Sequence, residues 1–177
     1  MKFRIGENET YSVKRISKEM ALKRYEEILS IINLIPYIQS NKNELFEERN
    51  SQYSKWEYSV GVFNSNNEII GVLLAYYRKK DDRHNFDSLY IHRFAVKKEY
   101  QKRSIGTKLV TFFLKANFCS KQSLDLVSIQ TNMESRNQHV IDFYRDIGFQ
   151  DRYLIQYPDK VDVLMTISRK KYLATLF

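Results

Sequence analysis

The stretch from Phe94 to Gly106 constrains this chain more than any other. It reads Phe94-Ala95-Val96-Lys97-Lys98-Glu99-Tyr100-Gln101-Lys102-Arg103-Ser104-Ile105-Gly106, with Thr107-Lys108-Leu109-Val110 behind it. An apolar run of strand character stops, a basic loop turns, and an amphipathic helix begins at a glycine. That order builds an anion site. N–H groups at a turn and at a helix N-terminus lack intrahelical partners, and the helix dipole adds positive potential. Lys97, Lys98, Lys102, Arg103 and Lys108 surround them against Glu99 alone. The local excess suits a small phosphorylated ligand.

The rest of the chain supplies a scaffold for such a loop. Tyr11 to Ile16 alternates and reads as a first strand. Ser17 is placed to cap a helix on which Leu22, Tyr25, Leu29 and Ile32 recur at helical spacing, and Pro36 breaks it or starts another short one. A helix is expected near Glu44 to Asn50. Trp56, Tyr58, Val60 and Val62 alternate with Glu57, Ser59 and Gly61 as a half-buried strand. Asn64-Ser65-Asn66-Asn67 is turn chemistry, and Ile69 to Tyr77 reads as a strand buried on both faces, which closes a hairpin.

A charged loop from Lys79 to Asp87 leads to a strand from Ser88 to Val96. Leu109, Phe112, Phe113 and Ala116 form the stripe of the next helix, and Leu126 to Thr131 is a strand. Asn137 to Ile147 is a helix with Val140, Ile141, Tyr144 and Ile147 on one face, ended by Gly148. Phe149 to Tyr157 and Val161 to Ser168 finish as strands. The central strand–helix–strand unit implies one parallel pair inside an otherwise antiparallel sheet. The expected fold class is α/β (α+β), a mixed, mostly antiparallel central sheet of about seven strands flanked by helices. The 177 residues suit one domain, 1–177.

Composition excludes several classes. The single cysteine, Cys119, can form neither an internal disulfide nor a cysteine zinc cluster, and it reads as a packed or idle thiol. No metal site is expected. Met1 to Glu7 lacks the apolar core of a signal peptide, and no run approaches the roughly 20 apolar residues of a membrane span. A cytoplasmic location without a membrane partner is the expectation. A formal charge of +8 permits nucleic-acid binding. No RNA-binding aromatic signature, zinc-finger spacing or basic heptad region accompanies it, so nucleic acid is not an expected partner. Arg169-Lys170-Lys171 reads as a basic patch or a solvated strand end, and Glu44, Glu47 and Glu48 as a solvated helix face in preference to a cluster that attracts a cationic amine.

Two motifs together resemble the GNAT superfamily of acetyl-CoA-dependent N-acetyltransferases. Gln101-Lys102-Arg103-Ser104-Ile105-Gly106 is similar to the family's acetyl-CoA loop, Gln/Arg-x-x-Gly-x-Gly/Ala after a strand. Asn137-Gln138-His139-Val140-Ile141-Asp142-Phe143-Tyr144-Arg145-Asp146-Ile147-Gly148-Phe149 is similar to its later helix, Asn-x-x-Ala-x-x-x-Tyr-x-x-x-Gly-Phe. They come in the family's order with a strand between them, and the element order agrees from about Tyr11 to the last strand. Ser104 stands at the loop's first glycine position, where a Cβ crowds a backbone that approaches pyrophosphate. Val140 stands where a small residue is usual.

The resemblance implies a GNAT-like sheet and an acyltransferase with acetyl-CoA as cosubstrate. N–H groups from Gln101 through Lys102, Arg103, Ser104, Ile105 and Gly106 to Thr107 would cradle the pyrophosphate. Phe94, Ala95 and Val96 would pair with the pantetheine arm and polarise the thioester carbonyl, and Asn137 would bond that arm. Tyr144 would be the general acid to the departing thiolate, since a phenol near pKa 10 is protonated at neutral pH. The base is open. His92 has a suitable intrinsic pKa and shares a strand face with Tyr90, Glu57 and Glu134 are other candidates, and a water relay would also serve. The acceptor would be an amine attacked by direct transfer in a ternary complex. The alternative is a non-catalytic acyl-CoA-binding GNAT-like module. Oligomeric state stays open, a homodimer included.

Overall fold

Phe3 lies opposite Tyr11 where β1 (Lys2–Ile5) pairs antiparallel with β2 (Glu9–Arg15), an N-terminal hairpin strand that the sequence reading did not anticipate. The computed structural model describes residues 1–5, 9–35, 38–46, 55–119 and 124–175. Pro36, Glu47 and Glu48, named above, lie outside the described residues.

The chain divides into two compact units, Met1–Tyr76 with His92–Lys115, and Tyr77–Ile91 with Ala116–Phe177. In the first, β2 continues antiparallel to β3 (Val60–Phe63) and β3 to β4 (Ile69–Arg78). The Asn64–Asn67 turn forms as expected, with Asn67 at φ 60 and Glu68 N donating to Asn64 Oδ1 at 2.9 Å. β5 (Ser88–Val96) has the expected bounds. In the second unit, β5 pairs parallel with β6 (Leu126–Asn132), and β8 (Val161–Ser168) lies antiparallel between β6 and β7 (Gln150–Gln156). The mixed, mostly antiparallel sheet with a parallel pair is therefore present, with eight strands among the described residues.

The N-terminal helical segment is two helices, α1 (Lys18–Lys23) and α2 (Tyr25–Ile32), not one. Ser17 caps α1 as expected, its Oγ accepting from Met20 N at 3.1 Å. Arg24 leaves helical geometry between them at φ −126. Its guanidinium instead donates to both oxygens of Glu27 at 2.7 Å and to Asn67 O at 2.8 Å. The break rotates the buried face onto Ala21, Ile28, Ile31 and Ile32, and leaves Leu22 48% exposed.

Trp56 and Tyr58 are not in a strand. After α3 (Lys42–Phe46), residues Lys55–Tyr58 form a single helical turn, α4. Lys55 Nζ donates to Leu45 O at 2.7 Å, Ser59 N and Oγ both donate to Lys55 O, and Trp56 packs on Phe46 at 5.3 Å. Both aromatics are buried, so a period-two pattern and one turn of helix satisfy the same apolar spacing.

α5 (Ile105–Phe118) buries Leu109, Val110, Phe113 and Leu114, and α6 (Gln138–Ile147) buries Ile141 and Tyr144. The basic run Arg169-Lys170-Lys171 opens a last helix, α7 (Arg169–Ala174), rather than ending a strand. Ser168 Oγ caps it from Lys171 N at 3.2 Å, and Tyr172 packs on Phe118 at 5.6 Å. No helix of the described residues is long and apolar enough to cross a membrane.

The loop after β4 is closed on itself in the second unit. Asp81 and His84 exchange backbone bonds of 2.7 and 3.1 Å, and Arg78 reaches both Asp81 Oδ2 at 2.7 Å and His84 Nε2 at 3.0 Å. Because Arg78 can only donate, His84 Nε2 accepts and the ring is neutral. Burial, then the Arg78 charge, lower the His84 pKa to about 4 against the pull of Asp81. The folded value lies below the unfolded one near 6.5, so this stability is present above pH 6.5 and falls as pH drops from 6.5 toward 4. About 2 kcal/mol should be lost between pH 6.5 and 5. Urea midpoints across that range should fall in the wild type and hold flatter in His84→Leu; parallel curves would show that His84 is not buried neutral.

Candidate active site

The apolar end of β5 delivers the basic loop. Lys97 N donates to Ile70 O at 2.8 Å, which anchors the strand end beside β4. Gly71 makes room there, since a Cβ on it would meet Val62 Cγ1 at 2.9 Å and Ala95 O at 3.2 Å. A single 3-10 turn over Lys98–Tyr100 follows. Gln101 then folds back, its Nε2 donating to Val96 O at 2.9 Å. The Gln101 side chain thus ties the loop to the strand end, a role the sequence did not suggest.

Lys102 and Ser104 adopt left-handed φ values of 58 and 57, and Arg103 between them does not. Left-handed residues in a loop turn backbone N–H groups outward, a feature shared with anion-binding nests. Lys108 N to Ser104 O, at 3.0 Å, is the opening bond of α5, so the N–H groups of Ile105, Gly106 and Thr107 come before any intrahelical acceptor. The helix begins one residue ahead of Gly106. Lys98, Lys102 and Lys108 are exposed and Lys97 is half-buried.

Ser104 occupies the backbone region that favours glycine. Replacing it has two opposed effects. Ser104→Gly removes a left-handed Cβ cost of about 1 kcal/mol and adds a comparable unfolded-chain entropy, so stability should stay within about 0.5 kcal/mol. Ser104→Val should lose about 1–2 kcal/mol, because a β-branched residue tolerates this φ poorly. Thermal unfolding of both variants checks this, and an unaffected valine variant would refute the left-handed geometry.

Arg103 is engaged by an acid that sequence reading passed over. Its Nη1 donates to both oxygens of Glu9 at 3.1 and 2.9 Å, and Tyr11 Oη donates to the same carboxylate at 2.6 Å. The Tyr11 bond, with Arg103, holds the Glu9 pKa below its ordinary value. Glu9 lies 94 positions from Arg103, so no local signal could have joined them. His92, on β5, is half-buried with its ring 5.5 Å from Tyr76. Glu57 is exposed in α4. Phe94 and Ala95 are half-buried and Val96 is buried.

In the second unit, Asn137 ends a 3-10 turn just before α6. Its side chain makes no helix-capping bond and donates instead to Asn132 Oδ1 at 3.3 Å, an oxygen that also accepts from Glu134 N at 2.7 Å. The Glu134 carboxylate pairs with Arg136. Gly148 closes α6 at φ 108 with bonds from Gly148 N to Arg145 O and from Phe149 N to Tyr144 O. That closure holds Phe149 against Tyr144, ring centroids 5.2 Å apart, with Phe143 at 5.1 Å on another side. Tyr144 is 1% exposed. Burial, with a smaller contribution from Tyr90, pushes its pKa well above the ordinary phenol value, so it keeps its proton at neutral and mildly alkaline pH.

The structure therefore places the loop residues, Phe94 to Val96 and His92 in the first unit, and Asn137 and Tyr144 in the second.

Comparison with known proteins agrees with this fold. The model of the Acetyltransferase (GNAT) family matches residues 24–149. No curated protein matches the chain. Among solved structures, the ribosomal-protein-S18-alanine N-acetyltransferase from Escherichia coli has a TM-score of 0.67 at 10% identity, covering 89% of this chain and 93% of its own. Spermidine N-acetyltransferase from Vibrio cholerae, in complex with CoA and spermine, has a TM-score of 0.65 at 17% identity, covering 92% and 98%. An aminoglycoside 6'-N-acetyltransferase complexed with coenzyme A has a TM-score of 0.63 at 13% identity, covering 89% and 97%. With its fold shared by these structures and most of its length matched by the family model, the chain belongs to the GNAT family of acetyltransferases.

Proposed function

We propose that this chain is a single-domain N-acetyltransferase that moves an acetyl group from acetyl-CoA to a primary amine by direct attack in a ternary complex. The observation that carries this reading is the Gln101–Ser104 loop, left-handed at Lys102 and Ser104 and set immediately before α5. Its donors are backbone N–H groups and lysine ammonium groups, which suit anionic oxygens such as those of a phosphate.

Acetyl-CoA supplies an activated thioester carbonyl and a thiolate leaving group. The loop from Gln101 to Thr107 holds its phosphates, with Lys97, Lys98 and Lys102 adding charge. Phe94, Ala95 and Val96 align the arm and present an N–H to the carbonyl oxygen, which stabilises charge as it develops. Asn137 bonds the arm. Tyr144 donates its proton to the departing sulfur, and burial keeps the phenol protonated for that step. His92 is the base candidate on β5.

The test is thiol release from acetyl-CoA in the presence of amines of several classes. Saturable, amine-dependent release supports the reading. Saturable acetyl-CoA binding with no release for any amine would favour a non-catalytic acyl-CoA-binding module instead.

A further inference from the structure

Within the first unit, the N-terminal hairpin reaches across to the basic loop, and Tyr11 of β2 is the point of contact. Tyr11 is 2% exposed, and its ring stacks on Phe3, its register partner on β1, at 5.5 Å. β2 is paired on both edges, with β1 and with β3, so Tyr11 is a fixed point. Glu9 stands two residues before it, which puts both side chains on the same face of the strand. Two groups of the loop meet this face. The Tyr100 ring stands edge-on to Tyr11 at 6.2 Å. The Arg103 guanidinium lies 5.8 Å from the Tyr100 ring centroid, and it shares the Glu9 carboxylate with the Tyr11 hydroxyl.

Lys102 and Ser104 hold left-handed φ values that L residues disfavour, and such residues persist where their surroundings over-determine them. Side-chain ties do that here. Gln101, just before the pair, is bonded to Val96 O, and Arg103, between the two, is bonded to both oxygens of Glu9. The first tie joins the loop to its own strand end. The second joins it to a separate strand of the sheet. The Arg103 and Glu9 side chains are 41% and 48% exposed, and an exposed ion pair stabilises a fold little. What the contact fixes is the place of residue 103 in the loop.

We propose that Glu9 is a positioning residue for cofactor binding: with Tyr11 it clamps Arg103, and so keeps the N–H groups from Gln101 to Thr107 arranged for phosphate before the cofactor arrives. The ligand is the one proposed for the loop above, so the role of Glu9 rests on that reading, and amide exchange in the free protein separates the two.

Calorimetric titration with acetyl-CoA at fixed ionic strength tests the clamp. Glu9→Gln keeps the size of the side chain and removes its charge, and the dissociation constant should rise about threefold, the scale of an exposed charged contact. In thiol release the acetyl-CoA KM should rise in step while kcat holds, a split that a general loss of stability would not give. Arg103→Gln should weaken binding equally, and the double variant should be no worse than either single one, because both remove the same contact. A direct phosphate ligand at Arg103, with Glu9 only competing for it, gives the opposite sign: Glu9→Gln would then bind acetyl-CoA more tightly. Tighter or unchanged binding in Glu9→Gln would overturn the proposal. If the wild type does not bind acetyl-CoA, the cofactor reading fails and amide exchange decides the clamp alone. The N–H groups of Tyr100, Gln101 and Lys108 are bonded to Lys97 O, Lys98 O and Ser104 O. Their exchange should quicken about threefold in Glu9→Gln while that of Lys97, bonded to Ile70 O, holds. Equal exchange in the two proteins would overturn the clamp.

Discussion

Tyr144→Phe should slow amine-dependent CoA release by about 10²-fold or more, the usual contribution of a positioned general acid, while leaving the acetyl-CoA dissociation constant within about twofold. The substitution removes one oxygen and keeps the ring that Phe143 and Phe149 pack against. The fold should survive, and the loss should sit in kcat rather than in cofactor binding. The pH profile adds an independent reading. Burial holds the Tyr144 pKa above the ordinary phenol value, so the wild-type rate should show no alkaline decline from this group below pH 10. Turnover unchanged in the phenylalanine variant would remove Tyr144 from the proposed chemistry.

Phe113→Ala should cost about 3–5 kcal/mol of stability, the range for deleting a fully buried aromatic side chain. Phe113 is 0% exposed on α5, the helix whose first turn follows Ser104. Against a total stability of about 5–15 kcal/mol, such a loss would leave the variant marginal. Urea unfolding followed through the single tryptophan, Trp56, should show a much lower midpoint at nearly unchanged slope. A loss under about 1 kcal/mol would contradict close packing at this position.

The order of strands and helices, the parallel pair and the loop before α5 were legible because each rests on local signals: alternation in Ser88 to Val96, a stripe around Leu109 and Phe113, and a left-handed stop at Gly148. Misreadings arose where distant contacts decide. The Trp56 turn is fixed by Lys55 reaching Leu45, and the break at Arg24 by its reach to Glu27 and to Asn67. β1 is short and charged, and it acquires strand geometry only by pairing with β2. Gln101, Lys102, Ser104 and Tyr144 could be singled out from motif and spacing. Glu9 could not, because a charge 94 positions away carries no sequence signature.

The pairing of Arg103 with Glu9 changes how the loop answers its surroundings. An arginine already neutralised by a carboxylate releases no counterion when a phosphate arrives, and it can join that phosphate only by exchanging one anion for another. On the proposed reading, the ionic-strength dependence of cofactor capture is then set by Lys97, Lys98, Lys102 and Lys108. It is shallower than the number of cations in the sequence implies.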